Sequence, residues 1–199
     1  MSALDNAFKE LRRVHKKFDI EGRFENNGQA NAKWPQTLPR SAEMDSFYEL
    51  CEPVDVEVET GLTPICFFNL DALEDGQVGF KWAGESNKTE LNGNWPAQHL
   101  VFMDDIGGGK PVIAVTDMPG TPVLASYDAV APFKIADSLA DFLLAFAKTV
   151  EIVHGKFDIF DIYNDDDELS STFVKLLKKE VSPLLGEDNY ERFFDYFYG

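Results

Sequence analysis

The pattern that most directly suggests chemistry is Gly-Gly-Gly-Lys at residues 107–110, which follows two aspartates, Asp104 and Asp105. A phosphate-binding P-loop needs a glycine five positions before its last one and a Ser or Thr after the lysine. Those positions hold Asp104 and Pro111, and two carboxylates beside the glycines would repel a phosphate. The pattern therefore predicts a tight turn between two strands.

The carboxylates near this turn could also form an acid–base pair or bind a divalent cation. Adjacent residues of a strand point to opposite faces, so Asp104 and Asp105 are not expected to act on one ligand together. No histidine or third carboxylate lies at the spacing of a metal or acid–base motif. Asp104 and Asp105 are therefore predicted to cap the turn. The acidic run at 165–168 lacks the central glycine and the distal glutamate of an EF-hand loop, and it is more typical of a helix start. We predict no metal site and no cofactor.

The remaining residues with catalytic potential are three histidines, two cysteines and two serines. No histidine belongs to an HxH or HExxH pattern, and neither serine has the glycine-framed elbow of a hydrolase. Either cysteine would need a histidine that only the fold can place beside it. These residues are His15, His99, His154, Cys51, Cys66, Ser126 and Ser138. We expect no enzyme activity; the alternative is a hydrolase whose site is assembled only in the folded chain.

The composition is strongly acidic. The 199 residues include 35 acidic and 18 basic ones, for a net charge of −17, although residues 1–33 carry seven basic and five acidic groups. Such a surface repels phosphate backbones and anionic membranes, so neither nucleic acid nor a membrane is an expected partner. The charge could serve solubility alone or attract a basic partner, and the composition leaves both open.

The same composition predicts one folded domain. The apolar share is 44%, with 17 phenylalanines, which is enough for a sizeable core in a chain of this length. No signal peptide is recognised, and no apolar run reaches the roughly 18 residues that a membrane span needs. We therefore expect a cytoplasmic protein whose two cysteines are reduced and buried.

Helical periodicity marks the N-terminal part. Apolar residues recur there with the spacing of one helix face, and four basic residues lie in the last turns, where cations suit the helix dipole. They are Leu4, Phe8, Leu11, His15 and Phe18, with the basic quartet Arg12, Arg13, Lys16 and Lys17. After a polar loop over 25–33, Pro39 is predicted to open a second, short helix.

A period of two then replaces the helical one. Three valines alternate with three acids over residues 54–59, which predicts one strand with an apolar face and an acidic face. The acids are Asp55, Glu57 and Glu59. Further strands are predicted over 65–70, 78–83, 99–104, 111–116 and 122–127. The loops between them are too short for crossover helices, so the sheet should be antiparallel.

Three helices are predicted after the sheet. Ser138 and Asp141 favour a capped start for a helix over 138–152. A second helix begins near Glu168 and is stopped by Pro183, and a third carries the aromatic residues of 190–198. The expected fold is α+β: an antiparallel sheet of about five or six strands, packed by the N-terminal and 138–152 helices, with the 170–198 helices appended.

Several stretches resemble the SUKH superfamily, the Smi/Knr-like and Syd-like proteins. The pairs Trp34-Pro35, Leu38-Pro39 and Phe47-Tyr48 resemble its opening. HLVFMDDIGGGKPVIAVTD (99–117) resembles its central hairpin, and PVLASYDAVAPFKIADSLADFLLAF (122–146) resembles its closing strand and last core helix. The likeness covers about 34–153. We therefore expect a SUKH-like domain over 1–153 and a helical appendage over 154–199 packed on it.

The resemblance implies a domain without catalysis, and many bacterial members of the superfamily are immunity proteins that neutralise toxin domains, frequently nucleases. A nuclease must be basic to hold nucleic acid, so an acidic protein can cover that surface with electrostatically steered association. We predict a non-catalytic immunity protein against a basic toxin; the alternative is an intracellular regulatory or scaffold protein. The predicted partner-binding residues are Asp55, Glu57, Glu59, Asp104 and Asp105.

Overall fold

The computed structural model describes residues 2–83, 90–127, 131–159, 161–164, 166 and 168–199. The helices are α1 (Ala3–Lys17), α2 (Ala30–Lys33), α3 (Ala42–Leu50), α4 (Leu139–Lys156), α5 (Ser171–Leu185) and α6 (Glu187–Tyr198). The strands are β1 (Arg23–Glu25), β2 (Glu52–Val54), β3 (Glu57–Val58), β4 (Ile65–Phe67), β5 (His99–Asp105), β6 (Val112–Val115), β7 (Val123–Ala125) and β8 (Phe133–Ala136).

The six strands β3 to β8 form one antiparallel sheet in chain order, and β1 pairs with β2 in a separate two-stranded sheet. This arrangement confirms the predicted α+β class and the predicted antiparallel meander. The predicted strand over 78–83 is wrong, because Gly79 has a φ of 86° and the chain turns back at once. The sixth strand of the sheet is β8, which the sequence analysis did not identify.

The predicted acidic strand over 54–59 is interrupted at Asp55. Its φ of 51° lies in the left-handed region, which breaks extended backbone at that residue. Val54 consequently ends β2 in the small sheet, whereas Glu57 and Val58 form the edge strand β3 of the large sheet. The three acids are exposed as expected, but they do not lie on one strand face.

The N-terminal helices begin at serine caps. Ser2 and Asp5 form a reciprocal capping box at the start of α1. Ser41, not Pro39, begins α3, since its side chain accepts a hydrogen bond from the backbone N–H of Met44 at 3.1 Å. The polar segment predicted as a loop over 25–33 also contains the short helix α2.

The longest helix, α4, forms the centre of the core. Ser138 caps it as predicted, because its Oγ accepts a hydrogen bond from the backbone N–H of Asp141 at 3.1 Å. Eleven of its 18 residues are buried, so apolar side chains face several directions and not one stripe. Among the described residues, no helix combines the length and hydropathy that a membrane span requires.

Phenylalanines of α4 join the sheet to the C-terminal helix. The Phe142 and Phe146 rings lie 6.0 Å apart, and each contacts the sheet on one side and α6 on the other. The sheet partners are Phe102 and Phe67, and the α6 partners are Phe193 and Phe197, with ring centroids 5.6 to 6.4 Å from their neighbours. The C-terminal helices therefore complete the same core as the sheet.

Two expectations about the C-terminal part change in detail. Pro183 does not stop α5, because the helix continues to Leu185 and ends at Gly186, whose φ is 78°. The expected boundary between residues 153 and 154 falls inside α4, which runs to Lys156. Residues of the 154–199 segment belong to the same hydrophobic cluster as the rest of the chain.

If α6 belongs to the core, Phe197→Ala should lower the free energy of unfolding by about 3–5 kcal/mol, because it empties a fully buried ring site. Phe194→Ala makes the same chemical change one turn away, at a half-buried ring, and should cost about 1–2 kcal/mol. Urea denaturation followed by tryptophan fluorescence measures both. Equal losses for the two variants would contradict the shared core.

Candidate functional site

An acidic groove lies at the edge of the large sheet, beside β3. Its volume is about 230 Å³, and it is bounded by the loop after α1, by β3, by the tip of the β5–β6 hairpin and by the end of α4. Four carboxylates line it: Asp19, Glu21, Glu57 and Glu59. The apolar part of the lining comes from Phe18, Ile20, Val58, Ile106 and Ile159, with His154 beside them.

The way α1 ends places two of these acids. The backbone N–H of Ile20 donates to the carbonyl of His15 at 3.2 Å, and that of Asp19 donates to Lys16 at 3.5 Å. This is the Schellman arrangement, in which the residue after the cap adopts a left-handed conformation. Asp19 takes that position with a φ of 50°. The chain turns sharply there and brings Asp19 and Glu21 beside β3.

The other two acids belong to the edge strand. Glu57 and Glu59 are exposed on either side of buried Val58, which follows the alternation of a strand. The carbonyl oxygen of Glu59 accepts a hydrogen bond from His154 Nε2 at 2.8 Å, which ties the strand to α4. The centroid of the His154 ring lies 5.7 Å from that of the Phe18 ring, so these two side chains pack together at this end of the groove.

The lining of the groove is predominantly negative, with four carboxylates. None of its four carboxylates forms an ion pair with any residue that the structure describes. Carboxylates around an apolar floor suit a lysine or arginine side chain, because its aliphatic stem covers apolar surface while its charged end meets the acids. The groove can therefore bind a cationic side chain, but it carries no nucleophile or acid–base pair with a partner in place.

Asp55 lies next to the groove and does not line it. A Cβ atom on Gly22 would stand 2.1 Å from the carbonyl oxygen of Asp55, so the loop after α1 crosses directly over this residue. The contact requires a glycine at position 22. Of the predicted partner-binding residues, Glu57 and Glu59 thus lie in the groove, and Asp55 lies at its margin.

Asp104 does not present a carboxylate to solvent. It is only 6% exposed, and its oxygens accept backbone hydrogen bonds from Asp105, Gly109 and Lys110 at 2.9 to 3.3 Å. Burial raises the pKa of Asp104 to about 6, and the neighbouring carboxylate of Asp105 adds to this effect. The predicted turn-capping role therefore describes Asp104 better than contact with a partner does.

The capped hairpin also anchors the C-terminal helix. Lys110 Nζ donates to Thr63 Oγ1 at 3.3 Å, and Thr63 Oγ1 in turn donates to the carbonyl of Phe197 at 3.1 Å. The Tyr196 hydroxyl donates to the carbonyl of Lys110. The lysine that follows the three glycines therefore has a structural partner, and Asp105, which is half-buried, accepts from the Lys110 N–H at 2.9 Å.

The other candidates for chemistry are not brought together. Burial raises the pKa of Cys51 to about 11 and also raises that of Cys66, so neither thiol is ionised at neutral pH, and both are free. Among the described residues, no group of three potential metal ligands occurs. Asp165 and Asp167 of the acidic run lie outside the described residues.

Sequence reasoning missed Asp19, Glu21 and Ile106. The first two follow a basic helix end, and nothing in their spacing connects them with residues 57–59. The sequence did contain a signal for Asp19. No glycine follows the helix, and aspartate is one of the few other residues that tolerate the left-handed conformation of such a helix end.

Comparison of the chain with protein-family models, curated proteins and solved structures gives no match. The SUKH resemblance therefore remains a prediction.

The raised pKa of Asp104 predicts a pH-dependent contribution to stability. The folded state holds this proton more tightly than the unfolded one, so the contribution is complete below about pH 4 and is lost as pH rises through about 6. Between pH 4 and 7 the wild type should lose about 1–2 kcal/mol relative to Asp104→Asn, which has no proton to release.

Urea denaturation at several pH values measures this difference. Asp158→Asn, at an exposed position, is the control and should follow the wild-type curve. Parallel curves for wild type and Asp104→Asn would show that the Asp104 pKa is not raised.

Proposed function

We propose that this protein is a non-catalytic binding protein whose acidic groove holds a cationic side chain of a basic protein partner. The observation that carries the proposal is the set of four unpaired carboxylates around an apolar floor. Unpaired acids in this setting are favourable mainly when a partner supplies the opposite charge, since mutual repulsion otherwise raises the local energy. The binding residues are Glu57, Glu59, Asp19 and Glu21, with Asp55 at the margin.

The surroundings of the groove favour a protein over a small cation. Ile106 at the hairpin tip is 49% exposed and Leu62 is 46% exposed, so apolar side chains are available near the acids. An interface typically combines apolar contact at its centre with charged residues at its rim. A basic partner would therefore place one lysine or arginine in the groove and cover the exposed apolar side chains around it.

The net charge supports the same conclusion at longer range. A protein of charge −17 attracts a basic partner before contact, and this attraction speeds association at low salt. The steering does not depend on which acids touch the partner. Association rates should therefore depend on the whole surface, and dissociation rates should depend mainly on the groove.

The SUKH resemblance suggests the class of partner. If it reflects ancestry, the basic partner is a toxin domain, frequently a nuclease, and the protein neutralises it by covering its nucleic-acid surface. A regulatory or scaffold protein of the Smi/Knr type is the alternative, and it would use the same groove for a different basic partner. Identification of the bound protein distinguishes the toxin partner from the regulatory partner. The groove variants test whether either partner binds at the acidic groove.

Reversal of Asp55, Glu57 and Glu59 to lysine should weaken partner binding by at least about tenfold, because it removes the attraction and adds repulsion. Thermal stability should fall only slightly, since all three side chains are exposed and form no ion pair with a described residue. The cost comes from Asp55, whose φ of 51° suits aspartate better than lysine. The matched control reverses three exposed acids elsewhere, Asp71, Asp117 and Glu191. It should slow association through its charge and leave dissociation near the wild-type rate.

Wild-type, groove-variant and control proteins serve as bait in an extract of the native host. Proteins retained by wild type and control, but lost from the groove variant, are then purified for kinetic measurement at several salt concentrations. The proposal is refuted if the groove variant retains the same proteins with the same dissociation rate. A bound partner without basic character would refute the charge argument specifically.

A further inference from the structure

The basic quartet at the end of α1 divides into two pairs that face different surroundings. Arg13 and Lys17 lie four residues apart on one face of the helix, and Arg12 and Lys16 lie four apart on another. From the sequence alone, the position of all four is explained by the favourable interaction of cations with the negative end of the helix dipole. The structure distinguishes the pairs by the partners that each one has.

The first pair is neutralised within the protein. Arg13 and Lys17 contact the carboxylate of Glu151 on α4 at 2.9 and 3.2 Å, and Lys148 contacts it at 2.9 Å. Partial burial opposes ionisation of Glu151, but hydrogen bonds from these three cations lower its pKa to about 2. This face of α1 therefore has an anion of its own, and it docks the helix on α4.

The second pair lines a cavity of about 400 Å³ between α1 and β1. Arg12, His15, Lys16 and Arg23 contribute to its wall, with apolar surface from Ile20 and Phe24. Three cationic side chains, Arg12, Lys16 and Arg23, meet at this cavity on a protein of charge −17. The opposing charges are Asp19, which also lines the cavity, and Glu25, which pairs with Arg23 at 2.8 Å.

Neither Arg12 nor Lys16 contacts a carboxylate of any described residue. Arg12 donates to neutral acceptors, the carbonyl of Leu50 and Asn26 Oδ1 at 2.7 Å, and it also interacts with the uncharged thiol of Cys51. These cations therefore lack the internal anion that Glu151 provides on the other face.

We propose that this cavity binds a small anion bearing a phosphate group, held by Arg12, Lys16 and Arg23 against the apolar surface of Ile20 and Phe24. Arginine and lysine together are the residues that most often bind phosphate oxygens, because guanidinium and ammonium groups offer several charged donors. His15 lies in the same wall, with its Nε2 bonded to the carbonyl of Glu21 at 3.0 Å.

The negative net charge of the protein favours a small anion over a long polyanion at this cavity. A long polyanion such as nucleic acid extends beyond the local cations and meets the acidic surface around them. A small anion is influenced mainly by the nearest charges, because salt screens those beyond about 8 Å. Among the residues that line the cavity, three cations, Arg12, Lys16 and Arg23, face one carboxylate, Asp19. The proposal is independent of the acidic groove, which uses different charged residues apart from Asp19.

The test uses the full chain and inorganic phosphate as the probe. Sodium phosphate is titrated at pH 7.5 and constant ionic strength, with chloride as the balancing salt, while amide chemical shifts are recorded by NMR. We expect saturable shifts confined to residues 12–24 and their neighbours. Acetate is the comparison anion, because a carboxylate carries a single charge. A response to acetate as strong as that to phosphate would overturn the assignment to phosphate.

Two neighbouring variants separate specific contact from general charge. Lys16→Gln should raise the dissociation constant about threefold or more, whereas Lys17→Gln removes the same charge from the other face and should change it little. The double variant Lys16→Gln/Arg23→Gln leaves Arg12 and its structural contacts intact and should raise the constant at least about tenfold. Equal effects of the two single variants, or no saturable shift in wild type, would overturn the proposal.

Discussion

The contact of the Phe142 and Phe146 rings with aromatic rings on two sides is the interaction on which the rest of the structure depends. A helix that is apolar in several directions cannot lie on a sheet with one side in water. α4 therefore requires the sheet, α6 and the flanking helices α1 and α5 together. The C-terminal helices consequently contribute to the same core as the sheet.

This requirement also fixes the two charged surfaces. Because α1 must cover one side of α4, its Arg13 and Lys17 meet Glu151, and the end of the helix is held in one place. The Schellman turn at Asp19 then directs the following loop along β3, where the acidic groove forms. The opposite side of the same helix end forms the basic cavity. One docked helix thus separates two surfaces of opposite charge that lie close together.

Much of the fold was predictable because local patterns determine it. The helices follow from apolar spacing and serine caps, and the antiparallel order of β5 to β8 follows from short connections that cannot hold a crossover helix. The connection over 68–98, between β4 and β5, is long enough for a crossover, so its antiparallel pairing did not follow from length. The predictions of secondary structure were wrong where the backbone conformation of a single residue determines whether a strand or helix continues. Asp55 interrupts an alternating pattern, Gly79 folds a predicted strand back, and Pro183 is tolerated near the end of α5. A local sequence pattern does not specify such angles when several residue types permit them.

The sequence by itself determined the charge balance, the α+β class, the turn at the glycines and the exposure of Asp55, Glu57 and Glu59. Only the tertiary structure decided which charges have partners. Asp19 and Glu57 are 38 positions apart, and Arg13 and Glu151 are 138 apart, so no spacing rule relates them. Charge is a property of each residue, whereas its compensation depends on neighbours, and neighbours distant in sequence are brought together only when the core packs.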